Sequence, residues 1–294
     1  MKTIMSDSPP PSRPDPLPGW FAPLVERARL ADGQPPFSDQ SIVDARRGSR
    51  RVLAIDEIAV ALTTETEAEL VVDPDARGRG HASSLLRTLT SGTAHELRIW
   101  AHGDHPAARA LAARFGFEAI RTLLQLRAAV ESADSPPPAN PAVRSFRDED
   151  ADAWVALNAR AFASHPEQGA VTRADLDDLR GEPWFHNDDV LLLWDDSRLI
   201  GYCWLKIERP GAVGEFYVVG VDPDRQGEGL GRELVRLGLA RLASRGIRQA
   251  SLYVEADNTP ALALYRSFGF REHTIDIQYA LTRIEQVGFT QRSS

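Results

Sequence analysis

The sequence contains two copies of a glycine-rich segment, 149 residues apart. Residues 71–82 read VVDPDARGRGHA, and residues 220–231 read GVDPDRQGEGLG. A second pair, AARFGFE at 112–118 and YRSFGFR at 265–271, recurs at an offset of 153. Self-similarity at a nearly fixed spacing indicates duplicated structural units. The sequence therefore predicts two copies of one fold instead of a single large domain.

A segment of linker composition separates the two copies. Residues 131–141 read ESADSPPPANP, and such proline- and serine-rich stretches are typical of linkers. Residues 1–19 are also rich in proline and serine and lack the apolar stretch of a secretory signal. We predict a disordered leader over 1–19, a first domain over 20–130, a linker over 131–141 and a second domain over 142–294.

Composition limits the possible partners. A net charge of −8 argues against nucleic-acid binding, which depends on cations that neutralise phosphates. The single cysteine, Cys203, rules out a disulfide framework and disfavours a cysteine-based metal site, and its apolar surroundings predict a buried, non-nucleophilic thiol. Apolar runs such as Val190 to Trp194 are too short to span a bilayer. We therefore expect a cytoplasmic monomer without metal, nucleic acid or membrane as a partner.

Each copy reads as a strand, a glycine-rich turn and a helix. In the second copy a β-branched and aromatic run predicts a strand over Phe216–Val221, and Asp222-Pro223 ends it. Apolar residues at helical spacing follow from Leu230. A strand over 250–255, a helix over 258–268 and a final strand over 275–281 complete the copy. The fold class is α/β or α+β, a sheet flanked by helices.

A strand, a glycine-rich turn and a helix start together favour phosphate binding, because free amide groups of the first helical turn face the anion. A Walker loop is excluded, since Gly231 is followed by Arg232-Glu233 and not by Lys-Ser/Thr. The glycine spacing also differs from the dinucleotide pattern G-x-G-x-x-G. What fits is Gln/Arg-x-x-Gly-x-Gly/Ala, at Gln226, Gly229 and Gly231 and at Arg77, Gly80 and Ala82. A turn without any ligand is the alternative.

That pattern resembles the acyl-CoA loop of the GNAT superfamily in both halves. Four longer segments extend the resemblance over residues 40–285: GEFYVVGVDP (214–223), LYVEADNT (252–259), YRSFGF (265–270) and DIQYAL (276–281). Within the superfamily, the resemblance is strongest to the tandem-domain mycothiol acetyltransferases. The resemblance implies two GNAT domains, each with a mixed, mostly antiparallel sheet. It implies acetyl-CoA as donor and a small pseudo-disaccharide thiol, Cys-GlcN-Ins, as acceptor, acetylated on its cysteinyl amine.

The resemblance also implies the binding residues. Those for acetyl-CoA in the second half are Val219, Gly220, Val221, Gln226, Gly227, Glu228, Gly229, Leu230, Gly231, Arg232, Asn258, Thr259, Pro260, Ala261, Leu262 and Ala263. Their counterparts in the first half are Leu70, Val71, Val72, Arg77, Gly78, Arg79, Gly80, His81 and Ala82. Those for the acceptor are Asp39, Lys206, Glu215 and Tyr253. Without the resemblance, Lys206 reads as a surface residue whose stem packs on apolar neighbours.

Acetyl transfer to an amine needs a base for the ammonium proton and an acid for the departing thiolate. The resemblance implies Glu215 as the base and Tyr265 as the acid. The repeat offsets pair Glu215 with Thr66 and Tyr265 with Ala112, neither of which can transfer a proton. We predict that only the second domain is catalytic, although Glu67, one residue from Thr66, leaves a base possible in the first.

Two other functions stay open at this point. One is a tandem N-acetyltransferase for an aminoglycoside, a polyamine or a peptide N-terminus, and the other is a non-catalytic acyl-CoA-binding module. Histidines do not add a metal centre, because His81, His102 and His105 lack ligand spacing and read as ordinary polar residues. Trp184, Trp194 and Trp204 are expected in the core or a pocket wall.

Overall fold

A computed structural model describes residues 17–91, 95–131, 142–163, 168–208 and 213–282. Most of the predicted leader (1–16) and of the predicted linker (132–141) lies outside the described residues. The chain forms two compact units, which we call unit 1 (Met1–Thr122 and Asp276–Ser294) and unit 2 (Leu123–Ile275).

Unit 1 combines helices with one mixed sheet. The helices are α1 (Phe21–Asp32), α2 (Asp39–Arg47), α3 (His81–Ser91) and α4 (Pro106–Phe115). The strands are β1 (Arg51–Ile55), β2 (Ala59–Thr63), β3 (Glu67–Val72), β4 (Leu97–Ala101), the start of β5 (Glu118–Ala129) and the end of β11 (Arg271–Leu281). Five strands pair in the order β1-β2-β3-β4-β11, in which only β3 and β4 are parallel.

Unit 2 repeats this topology. Its helices are α5 (Ala151–Ala161), α6 (Arg173–Leu179), α7 (Leu230–Ser244) and α8 (Thr259–Ser267). Its further strands are β6 (Ala142–Ser145), β7 (Val190–Asp195), β8 (Arg198–Lys206), β9 (Val213–Val221) and β10 (Gln249–Glu255). The order is β5-β10-β9-β8-β7-β6, and only β9 and β10 are parallel. The strands and helices predicted for the second copy are thus present, with ends shifted by up to four residues.

The units differ from the predicted domain ranges at two strands. Residues 123–129 of β5 belong to unit 2, whereas residues 276–281 of β11 belong to unit 1. Each half of the sequence therefore supplies one strand to the unit that the other half builds. The prediction followed the linker composition, which is a local signal. Strand pairing is decided by complementarity between distant segments, which composition does not report.

Each face of the unit 2 sheet has its own core. On one face, α7 and α8 pack on alternate residues of β5, β9 and β10, including Leu126, Phe216 and Leu252. On the other face, α5 and α6 pack on β7, β8 and β9 around Trp154 and Trp204. Cys203 is fully buried, as predicted, and burial raises the pKa of its thiol. No described helix is long and apolar enough to cross a membrane.

Candidate active site

The two glycine-rich turns adopt the same backbone conformation. Gly227 and Gly229 have φ of +85° and +82°, and Gly78 and Gly80 have φ of +76° and +89°. Residues with a Cβ avoid this left-handed region, so both pairs require glycine for conformation. α7 begins directly after the second turn and α3 after the first, so the free amides of each first helical turn form an anion site.

A buried aspartate anchors each turn. Asp222 accepts hydrogen bonds from the Asp224 amide (3.1 Å) and from Arg160 and Arg198, both of which come from distant elements. Asp73 accepts from the Asp75 amide (3.1 Å) and from Arg27 on α1 (2.6 Å). Sequence reasoning used the Asp-Pro pair only as a strand end. It missed the anchoring arginines because they are far away in sequence.

The sheets open beside these turns. The pairs between β9 and β10 run from Val213–Gln249 to Phe216–Leu252, so residues 218–221 of β9 pair with β8 alone. In unit 1 the parallel pairing stops at Ala68–Ile99. Unpaired backbone groups along an opened strand can hydrogen-bond an extended ligand. The predicted ligand segments 219–221 and 70–72 lie in these openings.

One irregularity changes how the two copies align. β9 carries a bulge at Tyr217, because Trp204 pairs with Val218 and Leu205 pairs with Phe216. β3 has no such extra residue. When the last parallel pairs are superposed, Ala68 corresponds to Phe216 and Glu67 corresponds to Glu215. The predicted match of Glu215 with Thr66 is therefore wrong by one residue, because a bulge adds one residue to a strand.

Unit 1 thus keeps a carboxylate at the position of Glu215, but in a different environment. Glu67 forms an ion pair with Arg50, whose side chain is 9% exposed. The Nε of Arg50 also lies 3.6 Å from Oδ2 of Asp44. A carboxylate held by a buried guanidinium is stabilised in its charged form and is a weak proton acceptor.

In unit 2 the predicted acceptor residues come together on neighbouring strands. Glu215 is the cross-strand partner of Lys206 on β8 and of Ser251 on β10, and Tyr253 lies two residues further along β10. The Lys206 side chain is only 7% exposed. Its Nζ lies 3.0 Å from Glu208 Oε1 and 5.2 Å from the Trp184 ring centroid. The surface interpretation of Lys206 is therefore wrong.

Asp39, the fourth predicted acceptor residue, begins α2 and belongs to unit 1. Its helix is capped by Ser38, whose hydroxyl accepts from the Ser41 amide. The two predicted wall tryptophans Trp184 and Trp204 are buried in the core of unit 2, as expected. Trp194 stacks under Arg144, with 4.8 Å from Cζ to the ring centroid.

Tyr265 lies on α8 and packs against the core of unit 2, with its ring 5.7 Å from that of Phe270. Burial raises the pKa of its hydroxyl, so the group stays protonated at neutral pH. Asn258 caps α8 by accepting from the Ala261 amide (3.2 Å). His105 caps α4 by accepting from the Ala107 amide (3.1 Å), so Asn258 and His105 cap the corresponding helices of the two units.

Unit 1 contains a cavity of about 500 Å³ at its own glycine-rich turn. Ala112, the counterpart of Tyr265, lies in its wall. Of the residues predicted to bind acetyl-CoA in this half, the lining includes Leu70, Val71, Val72, Arg77, Gly78, Gly80, His81 and Ala82. Arg79 is not in the lining. The two terminal nitrogens of the Arg77 guanidinium each donate a hydrogen bond of 2.7 Å to a carboxylate oxygen of Asp32.

His102 also lines this cavity and is not an ordinary polar histidine. Its Nδ1 lies 3.0 Å from Asp276 Oδ2, and its Nε2 lies 3.6 Å from Oε2 of the buried Glu69. Glu69 also accepts from the Ser41 hydroxyl (2.5 Å) and the Ser38 amide (2.7 Å). Burial alone would lower the pKa of His102, but the two carboxylates raise it to about 10. Burial would raise the pKa of Glu69, but His102 and the serines lower it to about 2.

This cluster predicts a pH-dependent stability. A histidine whose folded pKa is raised stabilises the fold fully below its unfolded pKa of ~6.5, and the stabilisation falls as pH rises towards 10. We therefore expect His102→Gln to lower the free energy of unfolding more at pH 6 than at pH 9, measured by urea denaturation. The exposed His95→Gln serves as control. An equal loss at both pH values would contradict a charged His102.

The described residues contain no group of three or more histidine, cysteine or acidic side chains arranged to hold a metal ion. The groups that the described part of unit 2 offers for chemistry include Glu215, Tyr265, the turn amides and the strand opening. A carboxylate, a protonated hydroxyl and an anion site next to an opened strand suit acyl transfer from a phosphate-bearing donor.

Comparison with known proteins agrees with this geometry. The acetyltransferase (GNAT) family model matches residues 50–117 and 151–270. The chain is 48% identical to a mycothiol acetyltransferase of Clavibacter sepedonicus, covering 94% of this chain and 99% of the relative. It is 41% identical to a mycothiol acetyltransferase of Kocuria rhizophila, covering 90% and 96%.

Two solved structures share the fold. One is a tandem GNAT protein from the clavulanic acid biosynthesis pathway, with TM-score 0.64, 17% identity, and coverage of 90% of this chain and 94% of that chain. The other is a GCN5-related N-acetyltransferase from Sphaerobacter thermophilus, with TM-score 0.62, 20% identity, and coverage of 90% and 91%. The chain therefore belongs to the mycothiol acetyltransferase family and is an acyltransferase built from two GNAT units.

Proposed function

We propose that the protein transfers the acetyl group of acetyl-CoA to the α-amino group of the cysteinyl residue of Cys-GlcN-Ins and so forms mycothiol, in the cytoplasm. The observation that carries the proposal is the placement of Lys206, Glu215 and Tyr253 on adjacent strands at the opening between β9 and β10. The relatives named mycothiol acetyltransferase, matched over nearly their whole length, supply the choice of acceptor.

The chemistry is direct transfer. An α-ammonium has a reference pKa of roughly 7.7–8.0, so a carboxylate acting through a water molecule can deprotonate it. Glu215 has this role. The neutral amine attacks the thioester carbonyl, a C–N bond forms, and the C–S bond breaks as the electron pair moves to sulfur. Backbone amides of residues 219–221 stabilise the oxyanion, and the Tyr265 hydroxyl donates its proton to the thiolate. The nitrogen releases its second proton to solvent as the amide forms, and Tyr265 regains a proton from solvent, so the products are the amide and the CoA thiol.

Acetyl-CoA binding is assigned to three segments of unit 2. The pyrophosphate meets the amides of the turn and of the first turn of α7. The pantetheine arm follows the opened strand, and the start of α8 lies beside the thioester. We assign to these contacts residues 219–221, 226–232 and 258–263. Leu262 contributes through its backbone, because its side chain is buried in the core.

Unit 1 is proposed to bind acyl-CoA without turnover. Its turn and strand opening repeat those of unit 2, a cavity lies beside them, and we assign residues 70–72 and 77–82 to acyl-CoA binding there. Ala112 cannot protonate a thiolate, and Glu67 is neutralised by Arg50. The role of Asp39 as an acceptor contact is a proposal that rests on the family resemblance alone.

Matched glycine substitutions test the division of labour. Gly229→Ala and Gly80→Ala each force a Cβ into the left-handed region, at a cost of about 1–2 kcal/mol, and each Cβ would face open space. We expect Gly229→Ala to lower kcat/KM for acetyl-CoA at least about tenfold, because the turn amides shift from the pyrophosphate. Gly80→Ala should leave kcat/KM within about twofold. Equal losses in steady-state assays would assign turnover to both units.

Product analysis tests the reaction itself. Incubation of the purified protein with acetyl-CoA and Cys-GlcN-Ins should yield one free CoA per product molecule. Mass spectrometry should place a single acetyl group on the cysteinyl nitrogen, with the product thiol still open to alkylation. A product acetylated on a sugar hydroxyl, or CoA release without any acetylated product, would refute the proposal.

A further inference from the structure

Four polar side chains form a row across the unit 2 sheet. Lys206 on β8 is paired with Glu215 on β9, Glu215 with Ser251 on β10, and Ser251 with Arg127 on β5. Directly paired residues of neighbouring strands project from the same face of a sheet. We call these four residues the cross-strand row. Two of them carry positive charge.

A second pair lies next to the row on the same face. Gln125 is the cross-strand partner of Tyr253, two residues from Arg127 and Ser251 respectively. The alternate residues of these strands, such as Leu126 and Leu252, pack against the core of α7 and α8. The row and the Gln125–Tyr253 pair therefore face away from α7, on the side that carries Glu215.

Two buried polar atoms on this face have no protein partner. Gln125 is 6% exposed, and its Nε2 donates to the Tyr253 hydroxyl oxygen at 2.7 Å. Its Oε1 and the Nε of Arg127 have no hydrogen-bond partner among the described residues. Leaving a buried polar atom unsatisfied costs roughly 1–3 kcal/mol. Such atoms on the face of Glu215 indicate contacts that the acceptor completes.

The duplicated unit sharpens this interpretation. In unit 1, β11 pairs with β4 as β5 pairs with β10 in unit 2. The residue of β4 that corresponds to Ser251 is Arg98, and its cross-strand partner on β11 is Ala280. Because the partner of Ser251 is Arg127, unit 1 has alanine at the position of Arg127. Likewise Trp100 stands in place of Tyr253. The unit that lacks the tyrosine acid thus also lacks this cation and this hydroxyl.

From these contacts we propose that Arg127 and Gln125, which the first half of the sequence supplies to unit 2, recognise the polyhydroxyl part of the acceptor. Arg127 donates hydrogen bonds to acceptor hydroxyl oxygens. Gln125 is a positioning residue: because its amide occupies the oxygen of Tyr253, the tyrosine proton is directed away from Gln125, towards the acceptor. The inference rests on the proposed function, since it names the acceptor contacts of that same site.

Charge supports an uncharged polyol over a polycation. Lys206 and Arg127 stand on either side of Glu215 in the row. Like charges facing each other across a binding site disfavour the wrong partner. A polyamine or an aminoglycoside would bring several ammonium groups against these two cations, whereas a neutral sugar-inositol acceptor would bring only its single amine towards Glu215.

The test compares Arg127→Met, Arg127→Lys and Gln125→Leu with the exposed controls Arg271→Met and Gln249→Leu. Steady-state rates are measured with Cys-GlcN-Ins and with cysteine methyl ester, an acceptor amine without the polyol. We expect Arg127→Met to raise KM for Cys-GlcN-Ins at least about tenfold, with KM for acetyl-CoA within about twofold. Arg127→Lys should recover part of the loss, and Gln125→Leu should raise the same KM.

With cysteine methyl ester the variants should match the wild type, and the controls should match it with both acceptors. The inference is overturned if Arg127→Met and Gln125→Leu leave KM for Cys-GlcN-Ins unchanged while the wild type acetylates it. A parallel rise in KM for both acceptors, or for acetyl-CoA, would also overturn it, because it would show a general structural effect. If the wild type itself does not discriminate between the two acceptors, that result refutes the proposed function and not only the role of Arg127 and Gln125.

Discussion

Replacing Glu215 with glutamine is expected to lower kcat by roughly 10²–10⁴ while KM for acetyl-CoA stays close to that of the wild type. Glutamine keeps the size and the hydrogen-bonding ability of the side chain but cannot accept the ammonium proton. Glu215 is the cross-strand partner of Lys206 and Ser251 and is not part of the turn to which we assign the pyrophosphate, so donor binding should be preserved.

The pH dependence makes this prediction specific. Above the reference pKa of an α-amine, roughly 7.7–8.0, most acceptor molecules are already neutral, so the missing base should matter less at pH 9 than at pH 7. The matched control is Glu67→Gln in unit 1, which should leave kcat unchanged and lower stability by removing the partner of Arg50. A deficit of the same size at every pH would contradict the role of Glu215 as base.

Replacing Tyr265 with phenylalanine is expected to have a similar effect, a loss of roughly 10²–10⁴ in kcat. The ring keeps its packing on Phe270, and the substitution removes only the hydroxyl that we propose as the proton donor to the thiolate. Burial raises the pKa of this hydroxyl, so it is protonated across the neutral range and its loss should be felt at every pH there.

Tyr279→Phe is the matched control, because Tyr279 lines the cavity of unit 1. It should leave kcat within about twofold, since no proton transfer is assigned to that unit. Thermal unfolding of both variants separates a loss of chemistry from a loss of fold. A Tyr265→Phe enzyme with unchanged kcat would remove the tyrosine from the mechanism, and another donor would then have to be found near the sulfur.

Features written locally in the sequence were predictable. The second-copy strands and helices follow from periodicity and from the glycines, and Gly269 has the left-handed φ of +81° expected after a helix end. The family follows from the same turn together with the segments downstream of it. The site residues Lys206, Glu215 and Tyr253 followed from the resemblance, and the structure places them on adjacent strands.

Features set by distant contacts were not predictable. The bulge at Tyr217 adds one residue to β9 without changing its composition, so the repeat offset pointed from Glu215 to Thr66 instead of Glu67. Burial of Lys206 and the charged environment of His102 depend on partners remote in sequence. The strand that carries Arg127 joins unit 2 although it precedes the linker.

The glycine-rich turn therefore indicates less about catalysis than the sequence suggested. It is present with the same conformation in both units, so the turn by itself does not identify the unit that we propose to be catalytic. The carboxylate at the position of Glu215 is also present in both. What distinguishes unit 2 is that its carboxylate lies beside Lys206 instead of Arg50, and that Tyr265 stands where unit 1 has Ala112.

The most direct test of the proposed function is the ratio of kcat/KM for Cys-GlcN-Ins to that for GlcN-Ins, the same acceptor without its cysteinyl residue, both with acetyl-CoA. We expect a strong preference for Cys-GlcN-Ins, because only that molecule brings an α-amine to Glu215 while its polyol contacts Arg127 of the cross-strand row. Equal values for the two acceptors, or a higher value for an aminoglycoside, would contradict it.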